Sequence, residues 1–118
     1  MADSIEQEIQ AKGLNAPRVK PADVEASIAS EHYFTAADGR CGAIISGMYI
    51  GREAPSLDDG DIVPLSLLTF CVLVLRNGFT VTGESACASP ENFYPEIGRK
   101  IARQHALSKI WPLLGYEL

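Results

Sequence analysis

The stretch from Leu67 to Asn92 constrains this chain more than any other. Residues Leu67 to Leu75 are apolar except Thr69, and many are β-branched or aromatic. Asn77-Gly78 follows at once, and Phe79-Thr80-Val81-Thr82 then alternates apolar and polar. Asn-Gly between two such runs is the strongest local signal for a β-hairpin, because a type I′ turn needs positive φ at both central residues. A two-residue turn at Asn77-Gly78 pairs Leu75 with Thr80, Val74 with Val81, Leu73 with Thr82 and Cys71 with Glu84. Alternation then gathers Leu68, Phe70, Val72, Val74 and Val81 on one face as an ordinary core. Leu73 and Leu75 fall on the other face beside Thr80, Thr82 and Glu84. A lone hairpin is marginal in water, so this one must pack on helices, add a strand or pair with another copy.

The remaining elements are read outward from that hairpin. Ser4 caps a short helix that carries Ile5 and Ile9 and ends at Gly13; a linker follows to Lys20. Pro21-Ala22-Asp23 opens a second helix with Val24 and Ile28 on its apolar stripe, ending near Ser30. Residues 31–37 read as a first strand, with Tyr33 and Thr35 on one face and His32 and Phe34 on the other. Residues 38–65 hold five glycines, two prolines and the acidic run Asp58-Asp59-Gly60-Asp61. They read as a surface excursion with a short strand at 44–50, whose apolar residues cover the sheet or meet a neighbouring subunit. Past the hairpin, Ser89-Pro90-Glu91 marks one short turn at 90–93. The main helix runs from Pro95 to about Ile110 and stops before Trp111-Pro112, and Gly115-Tyr116 reads as a turn. The expected architecture is a single α+β domain over 1–118: an antiparallel sheet built on the hairpin at about 67–87, packed by an N-terminal helix and the long helix at about 95–110.

Within that last helix, Tyr94, Ile97, Gly98, Ile101, Ala102 and His105 share one side, the expected core side. Glu96, Arg99, Lys100 and Arg103 share the other. Gly98 costs about 1 kcal/mol against alanine in a helix interior, which points to close approach of a strand. Arg99 and Arg103 stand one turn apart with Lys100 beside them. Two guanidinium forks so spaced suit a phosphate or pyrophosphate; equally, Glu96 and Lys100 form an i,i+4 pair on a solvated face. Asn92 and Phe93 stand where the helix begins, where free N–H groups favour an anion, or serve as a cap and a core aromatic. Glu84 and Ser85 end the hairpin, placed to meet ribose hydroxyls and a phosphate, or simply as a polar strand end.

Charge and cysteines narrow the function. The net charge is -5. Eleven acids against five bases precede residue 62, and four against five follow it. Duplex DNA and anionic membranes need a basic excess that is missing here, whereas a small anion needs only two or three cations. Cys41, Cys71 and Cys87 are odd in number and form no CxxC. The start MADSIEQEIQ lacks the basic and apolar regions of a signal peptide. The chain therefore reads as a protein of a reducing cytoplasm with cysteines as small hydrophobes. Thiol catalysis at Cys87 would need a histidine base, and His105, the candidate in that half, is expected on the buried side. His32 and His105 stand far apart without an acidic box, so neither a metal nor a cofactor is expected. Walker, GxSxG, HExxH and dinucleotide motifs are missing too. The reading is a binding protein and not an enzyme.

The run LTFCVLVLRNGFTVTGESACASPENF, followed by EIGRKIARQHALSKIWPLLGYEL, closely resembles a family of small tailed-phage proteins, and IASEHYFTAADG at 28–39 also fits. Proteins with this block look related to the Thoeris anti-defence proteins. The resemblance implies an oligomeric sponge that sequesters a cyclised ADP-ribose signal, or CBASS cyclic trinucleotides, in pockets between subunits in the host cytoplasm, without degrading it. By motif it implies that Asn92, Phe93, Arg99 and Arg103 line the ligand site. Tyr94-Pro95 and the long excursion at 38–65 depart from the family pattern at the pocket edge. The alternative is a protein–protein inhibitor of a host factor that uses the acidic first half and the apolar excursion and binds no nucleotide.

Overall fold

The structure, a computed structural model, describes residues 19–48, 53 and 59–117, and of these only the backbone at 59, 116 and 117. The helix expected at 4–13 lies outside the described residues. The described elements are α1 (Pro21–Ala26), β1 (Ile28–Thr35), α2 (Ala36–Ile45), α3 (Asp59–Ser66), β2 (Leu68–Leu75), β3 (Thr80–Ala86), a 3₁₀ turn at Pro90–Asn92 and α4 (Pro95–Glu117). The three strands form one antiparallel sheet in the order β1-β2-β3, and α4 crosses one of its faces. The α+β class and the long terminal helix are as the sequence predicts.

The hairpin forms where expected, but its register is one residue away. Leu73 pairs with Val81, Cys71 with Gly83 and Phe70 with Glu84. The turn explains the shift. Of Asn77 and Gly78, only Gly78 has positive φ, at 90°, so a type I′ turn is not made. The Gly78 N–H instead donates to Leu75 O (2.9 Å), and the Leu75 N–H to Phe79 O (2.7 Å). The connection is thus a three-residue loop closed by a left-handed glycine. Because the side-chain period is two, a one-residue slip exchanges the faces. Cys71, Leu73, Leu75 and Val81 form the core under α4 with Val24, Ala102, Ala106 and Ile110. Leu68, Phe70, Val72 and Val74, expected as the core, are half-buried on the opposite face, where the Phe34 and Phe70 rings lie 5.7 Å apart.

Four further boundaries move. Helix α1 ends at Ala26, and β1 begins at Ile28 instead of residue 31. The end of the hairpin caps α1: Arg76 donates through Nε to Ala26 O (2.8 Å) and through its N–H to Ser27 O (2.9 Å). Strand β1 then passes straight into α2, because Thr35 and Asp38 make a reciprocal cap, with Asp38 N–H to Thr35 Oγ1 at 3.1 Å and Thr35 N–H to Asp38 Oδ2 at 2.9 Å. The expected strand at 44–50 is absent over 44–48, where α2 ends and a turn follows; residues 49 and 50 lie outside the described set. The excursion is therefore partly helical. Finally, α4 continues through Pro112 to Glu117, and the expected turn at Gly115-Tyr116 is helical. Ile110 is fully buried, and Leu113 and Leu114 pack on the core, so tertiary burial carries the helix past the proline.

The buried stripe of α4 begins with small residues and ends on Ile110. Gly98, Ala102 and Ala106 face the sheet, and Gly83 of β3 lies directly beneath Ala102 and Ala106. A Cβ at 83 would meet Ala102 O at 2.1 Å. This near backbone contact rotates the helix away from the expected orientation. Tyr94, Ile97 and Ile101, expected on the core side, are 61%, 54% and 38% exposed. His105 is exposed as well and reaches around the strand, its Nδ1 2.7 Å from Glu84 O.

Candidate functional site

The start of α4 divides the expected ligand residues between two flanks. The Gly98 N–H donates to Tyr94 O (3.0 Å), closing the first turn of the helix. Upstream, the 3₁₀ turn at Pro90–Asn92 places the Phe93 ring between the helix and the sheet. On the β3 side lies a groove of about 350 Å3 lined by Ser85, Asn92, Phe93, Tyr94, Ile97 and Ile101, with Ala86, Cys87, Ala88 and Gly98. It holds three of the expected residues, Ser85, Asn92 and Phe93, but no cation.

On the β1 side lies a narrower cleft of about 160 Å3. Phe93 and Arg99 line it with Tyr33, Phe34, Thr35, Asp38, Thr69 and Pro95. A shallower hollow of about 280 Å3, lined by Tyr33, Glu96, Arg99, Lys100 and Arg103, shares Arg99 with it. The Phe93 ring thus borders both the groove and the cleft, and Arg99 borders both the cleft and the hollow. Glu84 lines none of the three; it stands exposed on β3.

The two arginines differ sharply in electrostatics. The Arg103 guanidinium forks onto both Glu25 oxygens (3.0 and 2.8 Å) and donates through Nε to Glu31 Oε1 (2.8 Å). Tyr33 Oη donates to the same Glu31 oxygen (2.6 Å). The Arg103 hydrogen bonds hold the Glu25 and Glu31 carboxyls below the usual carboxylate range, with Tyr33 adding to the effect on Glu31. Burial, and then the bond to Glu31, pushes the Tyr33 phenol up. Arg103 is therefore neutralised by its own chain. Among the described residues, neither Arg99 nor Lys100 forms an ion pair, so these two supply the positive charge of this flank.

Tyr33, Thr35, Asp38 and Thr69 are not among the residues that the sequence places at the site. The one signal for them was the shared face of Tyr33 and Thr35; their approach to Arg99 depends on β1 pairing with β2, which no local pattern carries. On the groove side, the Cys87 Sγ lies 3.2 Å from Ser89 O, and no hydrogen bond links Cys87 to His105 among the described residues. What the site offers is aromatic walls, two unpaired cations and short polar side chains, a set suited to holding an anion with a planar ring.

A family model described as the phage protein (N4 Gp49/phage Sf6 gene 66) family matches residues 19–118. No curated protein and no solved structure matches the chain.

Proposed function

We propose, from the premise that this chain belongs to the phage protein (N4 Gp49/phage Sf6 gene 66) family, that it is an anti-defence protein that sequesters a cyclic nucleotide signal without degrading it. The observation that carries this reading is the pairing of two uncompensated cations, Arg99 and Lys100, with the aromatic-walled cleft of Tyr33, Phe34 and Phe93. Phosphates of a cyclised ADP-ribose or a cyclic trinucleotide would lie against Arg99 and Lys100, and a base would stack on Phe93. Arg103 holds Glu25 and Glu31, so its contribution is to position Tyr33 and the helix flank. Asn92 and Ser85 face the groove on the far side of Phe93. A ligand that uses both flanks needs a second copy of the chain to bring one flank to the other, in keeping with the oligomeric pockets implied by the resemblance. Glu84 stands outside the cleft and would meet a ribose only across such a contact.

Calorimetric titration with cyclised ADP-ribose isomers and cyclic trinucleotides tests this. Binding is expected for at least one of them. Arg99→Ala should weaken it about 10- to 100-fold, the value of a charge-assisted hydrogen bond of about 1.5–3 kcal/mol. The ligand should be recovered intact after heat denaturation. Absence of binding to every member of both classes overturns the proposal.

One observation favours the alternative of a protein–protein inhibitor of a host factor. Ile45 and Met48 are 86% and 73% exposed at the end of α2, an apolar patch that suits a protein partner. Capture of a stoichiometric host protein that survives Arg99→Ala but is lost when 41–62 is deleted would select that reading.

A further inference from the structure

The guanidinium of Arg103 offers two hydrogen-bonding edges, and they are held unequally. Its end edge, Nη1 and Nη2, forks onto the two Glu25 oxygens (3.0 and 2.8 Å). Its side edge turns to Glu31, with Nε at 2.8 Å and Nη2 at 3.4 Å. Glu31 sits on β1 and is bound a second time, by Tyr33 Oη (2.6 Å). Glu25 is the more exposed of the two acids, and among the described residues Arg103 alone holds it. The Arg103 hydrogen bond is the main influence that keeps the Glu25 carboxyl low, and the like charge of Glu31 works against it. Val24, buried next to Glu25 in the chain, pins α1 to the core. The Glu25 side chain can therefore turn into solvent without moving its helix.

The same guanidinium lines the hollow that holds Arg99 and Lys100. Three cations, Arg99, Lys100 and Arg103, stand there with three acids, Glu25, Glu31 and Glu96, so the charges cancel. A carboxylate and a phosphate take a guanidinium fork in the same bidentate way. Glu25 thus occupies the Arg103 fork as an incoming anion would. A phosphodiester carries a single charge. Set against Arg99 and Lys100, it has nothing left with which to displace Glu25, and exchanging one single charge for another on Arg103 gains no Coulomb energy. A pyrophosphate carries two charges on linked phosphates. With one phosphate anchored on Arg99 and Lys100, the other reaches the Arg103 fork at high local concentration and competes there as an intramolecular partner.

We infer that Glu25 is the specificity-determining residue of this flank: its carboxylate closes the Arg103 fork to singly charged anions and yields it to a pyrophosphate. The inference rests on the reading of this flank as an anion site and adds which anions it takes. Arg103 keeps Glu31 and Tyr33 in place on its side edge throughout, and only the partner of its end edge changes.

Calorimetric titration of the full chain in about 0.15 M salt, where long-range charge effects are screened, tests this with two probes. Dimethyl phosphate carries one charge and symmetrical dimethyl pyrophosphate two. The pyrophosphate is expected to bind more tightly. Glu25→Gln should tighten it about tenfold further, the value of a charge-assisted hydrogen bond made without a competitor. The same substitution should leave dimethyl phosphate within about twofold. In an Arg103→Met background the gain from Glu25→Gln should vanish. In carbon-13 spectra at neutral pH, saturating pyrophosphate should shift the Glu25 carboxyl signal and leave that of Glu31 in place. An equal gain for both probes, a gain that survives Arg103→Met, or no response to Glu25→Gln overturns the inference. Neither probe contains a base or a ribose. Failure of this exchange and failure to bind a cyclic nucleotide are therefore separate results.

Discussion

A methyl group at position 83 would lie 2.1 Å from Ala102 O and 2.4 Å from Ala106 N, both backbone atoms of α4. Neither can yield without moving the helix off the sheet. Gly83→Ala should therefore cost about 3 kcal/mol or more in urea unfolding, the range of severe overpacking. Gly98 makes the opposite case. A Cβ there meets Thr69 Oγ1 at 3.1 Å, a side-chain atom that can shift, and alanine returns about 1 kcal/mol of helix propensity. Gly98→Ala should thus stay within about 1 kcal/mol of wild type in the same assay. The sequence exposes the lesser of these two glycines. Gly98 stands out because glycine is unusual inside a helix, whereas Gly83 looks ordinary at the end of a strand. Arg103 misleads for a related reason. By spacing it matches Arg99, but the acids that occupy it lie 72 and 78 residues away along the chain.

At the scale of elements, the hairpin, its tip and the long helix are legible because each is written locally: a β-rich run, an Asn-Gly and a proline-led amphipathic stretch. The register is not, since Asn-Gly serves both a two-residue turn and a three-residue loop; in the loop Arg76 leaves the strand and Asn77 keeps a negative φ. Tertiary packing decides between them. The observed register sets Val81 beside Leu73, both buried under α4, and leaves Thr80 and Thr82 outside. Gly78, at φ 90°, holds that loop. Gly78→Ala should cost about 1 kcal/mol, the strain of a left-handed non-glycine residue, with the core otherwise intact. Chemical denaturation together with the hydrogen-exchange pattern of β2 and β3 would show it: protection keeps its alternation while overall stability drops. The helical part of 38–65 was illegible for another reason. Glycines, Pro64 and an acidic run mask the helices α2 and α3, and the cap of α2 lies in Thr35 and Asp38, at the margin of that segment.

Across the whole molecule, the Arg103 cluster ties the first described helix and the edge strand to the last helix. Glu25 belongs to α1, Glu31 and Tyr33 to β1, and Arg103 to α4. Of the seven residues expected at one site, six divide around the same helix, with Arg99 and Lys100 on the flank that Arg103 braces and Asn92, Phe93 and Ser85 toward the groove, while Glu84 stands outside both. The brace has a sign in pH. Glu25 and Glu31 titrate below their ordinary value of 4.5 in the folded chain, chiefly through hydrogen bonds from Arg103. A depressed carboxylate binds its proton more readily when unfolded. Its contribution is therefore fully present above the ordinary value and is lost as pH falls through the folded one. Glu25 is 54% exposed and Glu31 37%, so solvent screening holds the joint contribution to about 1 kcal/mol. Arg103→Met keeps the aliphatic stem and removes the charge. Its unfolding free energy should fall short of wild type by about that amount from pH 6 to 8, with the two curves converging below about pH 4.5. A gap that persists undiminished into acid would mean that Arg103 acts through packing of its stem and not through the two carboxylates.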